Sequence, residues 1–160
     1  MPTKLNRDDI ERKVRQAVIS LLNSDLPLLK TDANERTVTQ RLAFWLQAEF
    51  REWTVDCEYN RDGDITKRIS QALDQAPPDN RQHRIVIPDI IIHHRGRGSE
   101  GNLVVFEVKK STNGDSGDSD KANLLDLKNQ YGYKCTVFLR LKAGSEDITV
   151  ENAIEEIEFG

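Results

Sequence analysis

Cysteine and long apolar runs are scarce in this chain, and each shortage excludes a class of protein. The two cysteines, Cys57 and Cys135, are too few for a disulfide framework. Neither has a Cys or His partner at zinc-ligand spacing, which leaves them as buried apolar residues or free thiols. No apolar run approaches the roughly 20 residues that span a bilayer, and the opening MPTKLNRDDIERK contains no apolar segment of a secretory signal. We therefore expect a cytoplasmic protein with no membrane partner.

The chain also lacks the excess of basic residues that is typical of nucleic-acid-binding proteins. Its formal net charge is -4, from 27 acidic and 23 basic residues. Six acids lie between Glu146 and Glu158, where there is no basic residue, so the remaining 21 acids are outnumbered by the 23 bases. Lys and Arg supply most of the sequence-independent affinity for phosphates. A nucleic-acid partner therefore stays open for the body of the chain.

Composition and hydrophobic periodicity indicate one α/β domain at residues 1–160. With 37% hydrophobic and 31% charged residues, the chain is typical of soluble globular proteins. The core is expected at about 31–141, preceded by an N-terminal helix and connector (1–30) and followed by an acidic tail (142–160) that forms either a closing strand or a helix. The order of elements predicts a central mixed β-sheet flanked by helices, in the order αβββαβ with an extra N-terminal helix.

Apolar residues at helical spacing predict three main helices. The first is followed by a connector at 23–31. The second begins at a capping box formed by Asp32 and Glu35, which places Glu35 at the end of that helix's buried stripe. The third is predicted at Lys121–Tyr131, ending at Gly132, and the segment STNGDSGDSD before it is expected to be a mobile loop.

Two of the four predicted strands carry charged residues in an apolar context. The strands are WTVDCEY, RIVIPDIIIHH, NLVVFEVKK and YKCTVFLRL. In the second, Pro88 interrupts the pattern and Asp89 follows among isoleucines, where a carboxylate is costly unless a cation or several donors accompany it. In the third, Glu107 and Lys109 are two residues apart and so point to the same face. If a hairpin joins these strands, Asp89 and Glu107 converge with Lys109 beside them.

Two interpretations of these three residues are open. On a solvated face they form an ordinary surface salt bridge, which contributes little to stability. Alternatively, the carboxylates bind a hard cation such as Mg²⁺, which takes one or two carboxylates together with phosphate oxygens. The lysine would then stabilise developing negative charge or orient the attacking water.

The residues of the second interpretation form a pattern that resembles a known family. Asp89 after a proline, then Glu107 and Lys109 on the following strand, resemble the motif of the PD-(D/E)XK superfamily, the restriction-endonuclease-like nucleases. The order of elements over residues 35–141 is similar as well. The resemblance implies a restriction-endonuclease-like core and a metal-dependent nuclease that hydrolyses phosphodiester bonds, with DNA as the expected substrate.

The resemblance also implies a role for each matching residue. Asp89 and Glu107 would ligate the metal with help from the backbone carbonyl of Val108, and Lys109 would be catalytic. Glu35, an acid on the helix before the first strand, would contribute directly or through water. The implied cofactor is Mg²⁺, for which Mn²⁺ can substitute.

Several basic residues are candidates for contacts to a nucleic-acid backbone, although scattered basic residues are more commonly part of a solvated surface. They are Arg84, Arg95, Arg97 and Lys121. The pair His93-His94 can be interpreted as metal ligands, but adjacent strand residues point to opposite faces and do not easily share one ion.

Two alternative functions are consistent with the same residues. One is a catalytically inactive nucleic-acid-binding member of the same fold, and the other is a protein-interaction module. The choices between DNA and RNA, and among duplex, branched and single-stranded substrates, are open. Because the chain contains no recognisable base-reading module, a homodimer or a recruiting protein partner would supply specificity.

Overall fold

The computed structural model describes residues 4–57 and 87–160, which form an α/β arrangement with an open five-stranded sheet. The helices are α1 (Arg7–Lys30), α2 (Glu35–Glu49) and α3 (Asp118–Tyr131), with a short 3₁₀ helix at Gly98–Gly101. The strands are β1 (Thr54–Cys57), β2 (Ile90–His93), β3 (Asn102–Lys110), β4 (Cys135–Leu141) and β5 (Ile154–Phe159). The prediction of an α/β fold with a mixed sheet flanked by helices is confirmed. The sequence also predicts a short helical stretch around residues 65–73, which lies outside the described residues.

The strands follow one another across the sheet in the order β1-β2-β3-β4-β5. The pairs β1–β2, β2–β3 and β4–β5 are antiparallel, whereas β3 and β4 are parallel. A parallel pair needs a crossover connection, and α3 supplies it between β3 and β4. Two registers matter for the site: Ile90 pairs with Phe106, and Lys109 pairs with Arg140.

The sheet buries a different apolar set on each face. One face packs against α1 and α2 and includes Ile90, Ile92, Val104, Phe106 and Val108. The other packs against α3 and is a smaller cluster, formed by Ile91, Val105, Leu124, Leu127, Tyr133 and Phe138. Each fully buried aliphatic or Phe side chain stabilises the fold by roughly 1.5–3 kcal/mol. Since strand residues alternate between faces, Glu107 and Lys109 share the α3 face with Val105.

The prediction of a connector at 23–31 is wrong, because α1 continues through this segment to Lys30. Asp25 departs from helical geometry, with φ -123° and ψ 20°, and Pro27 follows two residues later. A proline is tolerated in the first turn after such a break, because the backbone N–H that it lacks would have no partner there. The chain therefore kinks and continues as a helix to Lys30.

The start of α2 also differs from the prediction. Its N-cap is Asn34, whose side chain accepts a hydrogen bond from the Thr37 N–H at 2.8 Å. Asp32 is in the left-handed region with φ 56°, and its carboxylate accepts hydrogen bonds from Lys110 Nζ at 2.8 Å and Thr112 Oγ1 at 3.0 Å. The predicted capping box at Asp32 is therefore wrong, because a second capping residue stands closer to the helix.

After β3, the predicted end of the third helix is confirmed, but its predicted start is wrong. Helix α3 ends at Gly132, which has φ 72° as a left-handed C-cap requires, but it begins three residues before Lys121, at Asp118. The acidic tail forms the strand β5, whose Ile154, Ile157 and Phe159 pack against the larger core. Among the helices of residues 4–57 and 87–160, none has the length and apolarity to cross a membrane.

Candidate active site

Asp89 and Glu107 face each other across the β2–β3 pair. Asp89 immediately precedes β2, and its N–H donates to the Phe106 carbonyl at 3.1 Å, which continues the antiparallel ladder by one residue. Its carboxylate reaches forward and accepts a hydrogen bond from the Val108 N–H at 2.8 Å. Pro88 lies at the entry to the strand, where a missing N–H does least harm. The predicted convergence of the two acids is what this geometry produces.

The carboxyl group of Glu107 is buried next to another acid. Glu107 is 9% exposed. Burial, the charge of Asp89, a hydrogen bond to Asp89 and the charge of Asp120 together raise the pKa of Glu107 to about 10, against a smaller opposing effect of Lys109. Without a cation, Glu107 therefore keeps its proton at neutral pH and shares a hydrogen bond with Asp89.

Lys109 is held by two acids that the sequence interpretation left out of the site. Its Nζ lies 3.0 Å from Asp120 Oδ2 and 3.8 Å from Asp115 Oδ2, and its side chain is 12% exposed. Burial alone would lower the pKa of Lys109, but the close contact with the Asp120 carboxylate and its charge, with smaller effects of Asp115 and Glu35, raise it. The lysine is thus a cation at neutral pH.

Asp120 was missed because α3 was predicted to start at Lys121. The segment expected to be a mobile loop contains the first turn of the helix, and it places Asp120 over the α3 face of the sheet. The missed signal is the spacing of Asp120, Leu124 and Leu127, which is that of one helical face; the two leucines are buried against the sheet.

Glu35 lies beside the end of β3. It is the first residue of α2, and its Oε2 accepts a hydrogen bond from the backbone N–H of Lys110 at 3.1 Å. The Lys110 side chain donates to the Ala33 carbonyl at 2.9 Å as well as to Asp32. Glu35 thus contacts the strand that carries Glu107, and its charge helps to raise the pKa of Lys109.

Of the predicted nucleic-acid contacts, the two arginines that the structure describes lie away from these residues. Arg95 and Arg97 follow β2 and so lie at the far end of the hairpin from Asp89. Lys121 is on α3 beside the site, but its Nζ forms ion pairs with Glu156 at 2.5 Å and Glu158 at 3.0 Å. Arg84 lies outside the described residues.

A second polar cluster stands near Arg95. Buried Asp56 accepts hydrogen bonds from both the Nε and the Nη2 of Arg95, the first at 3.0 Å, and lies 2.6 Å from His93 Nε2. Burial opposes ionisation of Asp56, but the bonds to Arg95 and His93 outweigh it and lower the pKa of that carboxyl. His94 stacks on Trp53 with ring centroids 3.8 Å apart. The two histidines therefore have different partners, as the alternation of a strand predicts.

Asp89 and Glu107 supply two carboxyl groups, which is the number of protein ligands that a magnesium ion commonly uses. Among the residues that the structure describes, no group of three or more His, Cys, Asp or Glu side chains is arranged to hold a metal. Mg²⁺ does not require such a group, since it commonly uses one or two carboxylates with water and phosphate oxygens. Two opposed carboxyl groups, one of them buried, repel each other when ionised, and a divalent cation relieves that repulsion.

No protein-family model, curated protein or solved structure matches the chain.

Proposed function

We propose that this chain is a metal-dependent nuclease of the PD-(D/E)XK type that hydrolyses phosphodiester bonds, with DNA as substrate and Mg²⁺ or Mn²⁺ as cofactor. The observation that carries the proposal is the direct opposition of Asp89 and Glu107 on neighbouring strands, with Lys109 on the same face two residues further along β3. The α/β sheet, with a parallel β3–β4 pair joined by α3, is compatible with the restriction-endonuclease-like core that we propose.

Each residue has a role in this proposal that follows from its position. Asp89 and Glu107, with the carbonyl of Val108, would hold the ion, which when bound supplies a Lewis acid and an activated water. Lys109 lies on the same face of the sheet as Glu107, and in this proposal it donates a hydrogen bond to a phosphate oxygen or to the attacking water. Glu35 positions the end of β3 through the Lys110 N–H.

The ion pair of Lys109 with Asp120 defines the position of the lysine. A flexible four-carbon side chain loses rotamer freedom when it is fixed, and Asp120 on α3 fixes it before any substrate arrives. Asp120 is therefore a positioning residue in this proposal.

The same ion pair also favours a second candidate, an inactive nucleic-acid-binding or protein-interaction module of the same fold. A lysine that is already paired with a carboxylate at 3.0 Å does not need a phosphate to satisfy its charge. In that case the cluster is a structural network, and the protein binds no divalent ion.

Cleavage and metal binding by single variants separate the two candidates. Purified protein with Mg²⁺ or Mn²⁺ is tested on duplex, branched and single-stranded DNA and RNA, and Mn²⁺ binding is measured by calorimetry. We expect Asp89→Ala and Glu107→Ala to abolish both cleavage and metal binding, whereas Lys109→Ala abolishes cleavage and keeps the ion. Matched controls are Glu100→Ala and Lys134→Ala, which remove exposed charges elsewhere and should change neither property.

The outcome that contradicts the nuclease is equally definite. If the parent protein binds no divalent ion and cuts none of these substrates, and the three variants also unfold, the cluster is a structural ion-pair network. The module then becomes the better conclusion.

A further inference from the structure

An open groove of about 430 Å³ lies beside Lys109, between the segment that follows β3 and the last two strands. Five residues of segment 111–116 line it, together with Arg140 of β4 and the β5 residues Glu155 and Glu156. Because β3 and β4 are parallel and Lys109 pairs with Arg140, the two cations lie side by side on the α3 face. The groove therefore continues the candidate active site.

Arg140 is a buried cation with few close hydrogen-bond acceptors, although its guanidinium lies 5.5 Å from the centroid of the Phe138 ring and interacts with the charge of Asp115. It is 8% exposed, and the nearest acceptors are the Asn113 carbonyl at 3.5 Å from Nη1 and Glu155 Oε2 at 4.0 Å from Nε. Both distances are at or beyond the limit of a good hydrogen bond, while a guanidinium has five N–H donors. Burying such a charge is costly unless its donors are satisfied. Most of the donor capacity of Arg140 is thus left for a ligand.

The backbone at Gly117 makes room for this guanidinium. Gly117 has φ +87°, and a Cβ there would lie 2.6 Å from the Phe138 ring and 2.9 Å from Arg140 Nη2. Only glycine adopts this conformation readily and brings the chain so close. The loop before α3 therefore packs directly against the ring and the guanidinium.

Three polar side chains of the lining also present donors. Ser111 Oγ accepts from the Ala143 N–H at 3.0 Å, Asn113 Oδ1 accepts from the Asp115 N–H at 3.2 Å, and Ser116 Oγ accepts from the Asp118 N–H at 3.3 Å. These bonds use acceptor atoms and leave two hydroxyl protons and one amide NH₂ group. In residues 4–57 and 87–160 these donors have no protein acceptor within hydrogen-bond distance. The lining thus offers donors to an anion.

The acids at the groove are largely engaged already. Asp115 accepts from the Gly117 N–H at 2.9 Å and stands near Lys109; these contacts lower the pKa of Asp115. Glu156 is paired with Lys121. Glu155 is exposed and lies 4.0 Å from Arg140, so it is the acid that an incoming anion would displace.

We propose that this groove is a phosphate-binding subsite, in which Arg140 binds the backbone phosphate that flanks the one held at Asp89, Glu107 and Lys109. This inference rests on the proposed nuclease function, since it assigns a second phosphate of the same substrate. A guanidinium suits this role because its planar donors bind phosphate oxygens in pairs. The subsite fixes the position of the nucleic-acid strand across β3 and β4.

The salt dependence of DNA binding tests this proposal. A fluorescein-labelled oligonucleotide, single-stranded and duplex, is bound to each variant in Ca²⁺ at several salt concentrations, and anisotropy gives the affinity. Arg140→Gln should weaken binding and reduce the slope of log affinity against log salt by about 0.7 for single strands or about 0.9 for duplex, the value for one lost phosphate contact. Arg140→Lys should keep the slope and lose affinity several-fold, because the paired donors are gone.

The matched control is Arg15→Gln, which removes an exposed cation from the opposite side of the sheet, where Arg15 lies over Phe159. It changes the net charge equally and should leave the slope unchanged. An unchanged slope in folded Arg140→Gln, or an equal decrease in Arg15→Gln, overturns the subsite.

A second probe separates failure of the subsite from failure of the nuclease. Inorganic phosphate is titrated into ¹⁵N-labelled wild-type protein, and the Nε–H signal of Arg140 is followed after assignment with Arg140→Lys. A saturable shift supports the subsite even if the protein cuts no nucleic acid, in which case only the proposed nuclease fails. If cleavage is observed but the Arg140 signal does not move, the subsite is wrong and the nuclease stands.

Discussion

Replacement of Glu107 by Gln should stabilise the metal-free protein at neutral pH. In the folded state the Glu107 carboxyl keeps its proton up to about pH 10, whereas the ordinary value for an exposed glutamate is 4.5. Between these two pH values unfolding releases a proton, so the free energy of unfolding of the wild type falls as pH rises. A glutamine has the shape of the protonated acid and nothing to release.

The size of the effect follows from the distance between the two pKa values. Between pH 4.5 and pH 7 the wild type loses about 1.4 kcal/mol of stability per pH unit over two and a half units, or roughly 3–4 kcal/mol in total. For a chain of this length, each kcal/mol corresponds to roughly 2–4 °C in Tm, so the Tm of Glu107→Gln should be roughly 6–16 °C higher. The difference should shrink toward pH 5 and grow toward pH 9.

The assay is thermal and urea unfolding in EDTA at pH 5, 7 and 9, with Glu100→Gln as the control at an exposed position. Equal or lower stability of Glu107→Gln than of the wild type at all three pH values would refute a buried, protonated Glu107. Added Mg²⁺ should stabilise only the wild type and should do so more strongly as pH rises, since the ion must displace the Glu107 proton.

Two further predictions concern charges outside the carboxylate pair. The double variant Glu156→Gln/Glu158→Gln frees Lys121, so its affinity for DNA at low salt, measured by anisotropy, should rise by more than that of Glu146→Gln/Glu151→Gln, which also removes two acids but at exposed positions; an equal rise in both would show a net-charge effect only. Asp56→Ala leaves the buried side chain of His93 without its carboxylate partner and should destabilise the protein by roughly 1–3 kcal/mol, measured by urea unfolding, and a change below about 1 kcal/mol would contradict this.

The sheet was predictable because its strands have strong local patterns. The runs that became β2, β3 and β4 are rich in Ile and Val, and the spacing of Glu107 and Lys109 placed both on one face before any pairing was known. Antiparallel pairing of consecutive strands then allowed Asp89 to lie opposite Glu107, and the register of the structure places it there. This part of the site follows from period-two alternation and a hairpin.

The helix boundaries were less predictable because capping residues compete. Asp32 and Asn34 are both residues that favour the N-cap position. In the structure the Asn34 side chain accepts the hydrogen bond that caps the helix, whereas the Asp32 carboxylate accepts one from Lys110. Such a choice depends on a residue 78 positions away in the chain, which no local pattern contains. The start of α3 was also hard to predict, because its N-cap is Gly117, which has no side chain that could cap the helix.

The acids beside Lys109 could not be assigned to the site by counting charges along the sequence. Asp115 and Asp120 precede or begin a helix, and in sequence they look like a solvated acidic loop. The crossover through α3 brings them onto the face where β3 presents its lysine, and β5 brings Glu155 and Glu156 to the same end of the sheet. In the metal-free protein each cation on this face therefore already has a carboxylate nearby. A polyanion gains affinity here only if it displaces those carboxylates or arrives with a divalent cation, which is why metal dependence and salt dependence are the two measurements that decide the function.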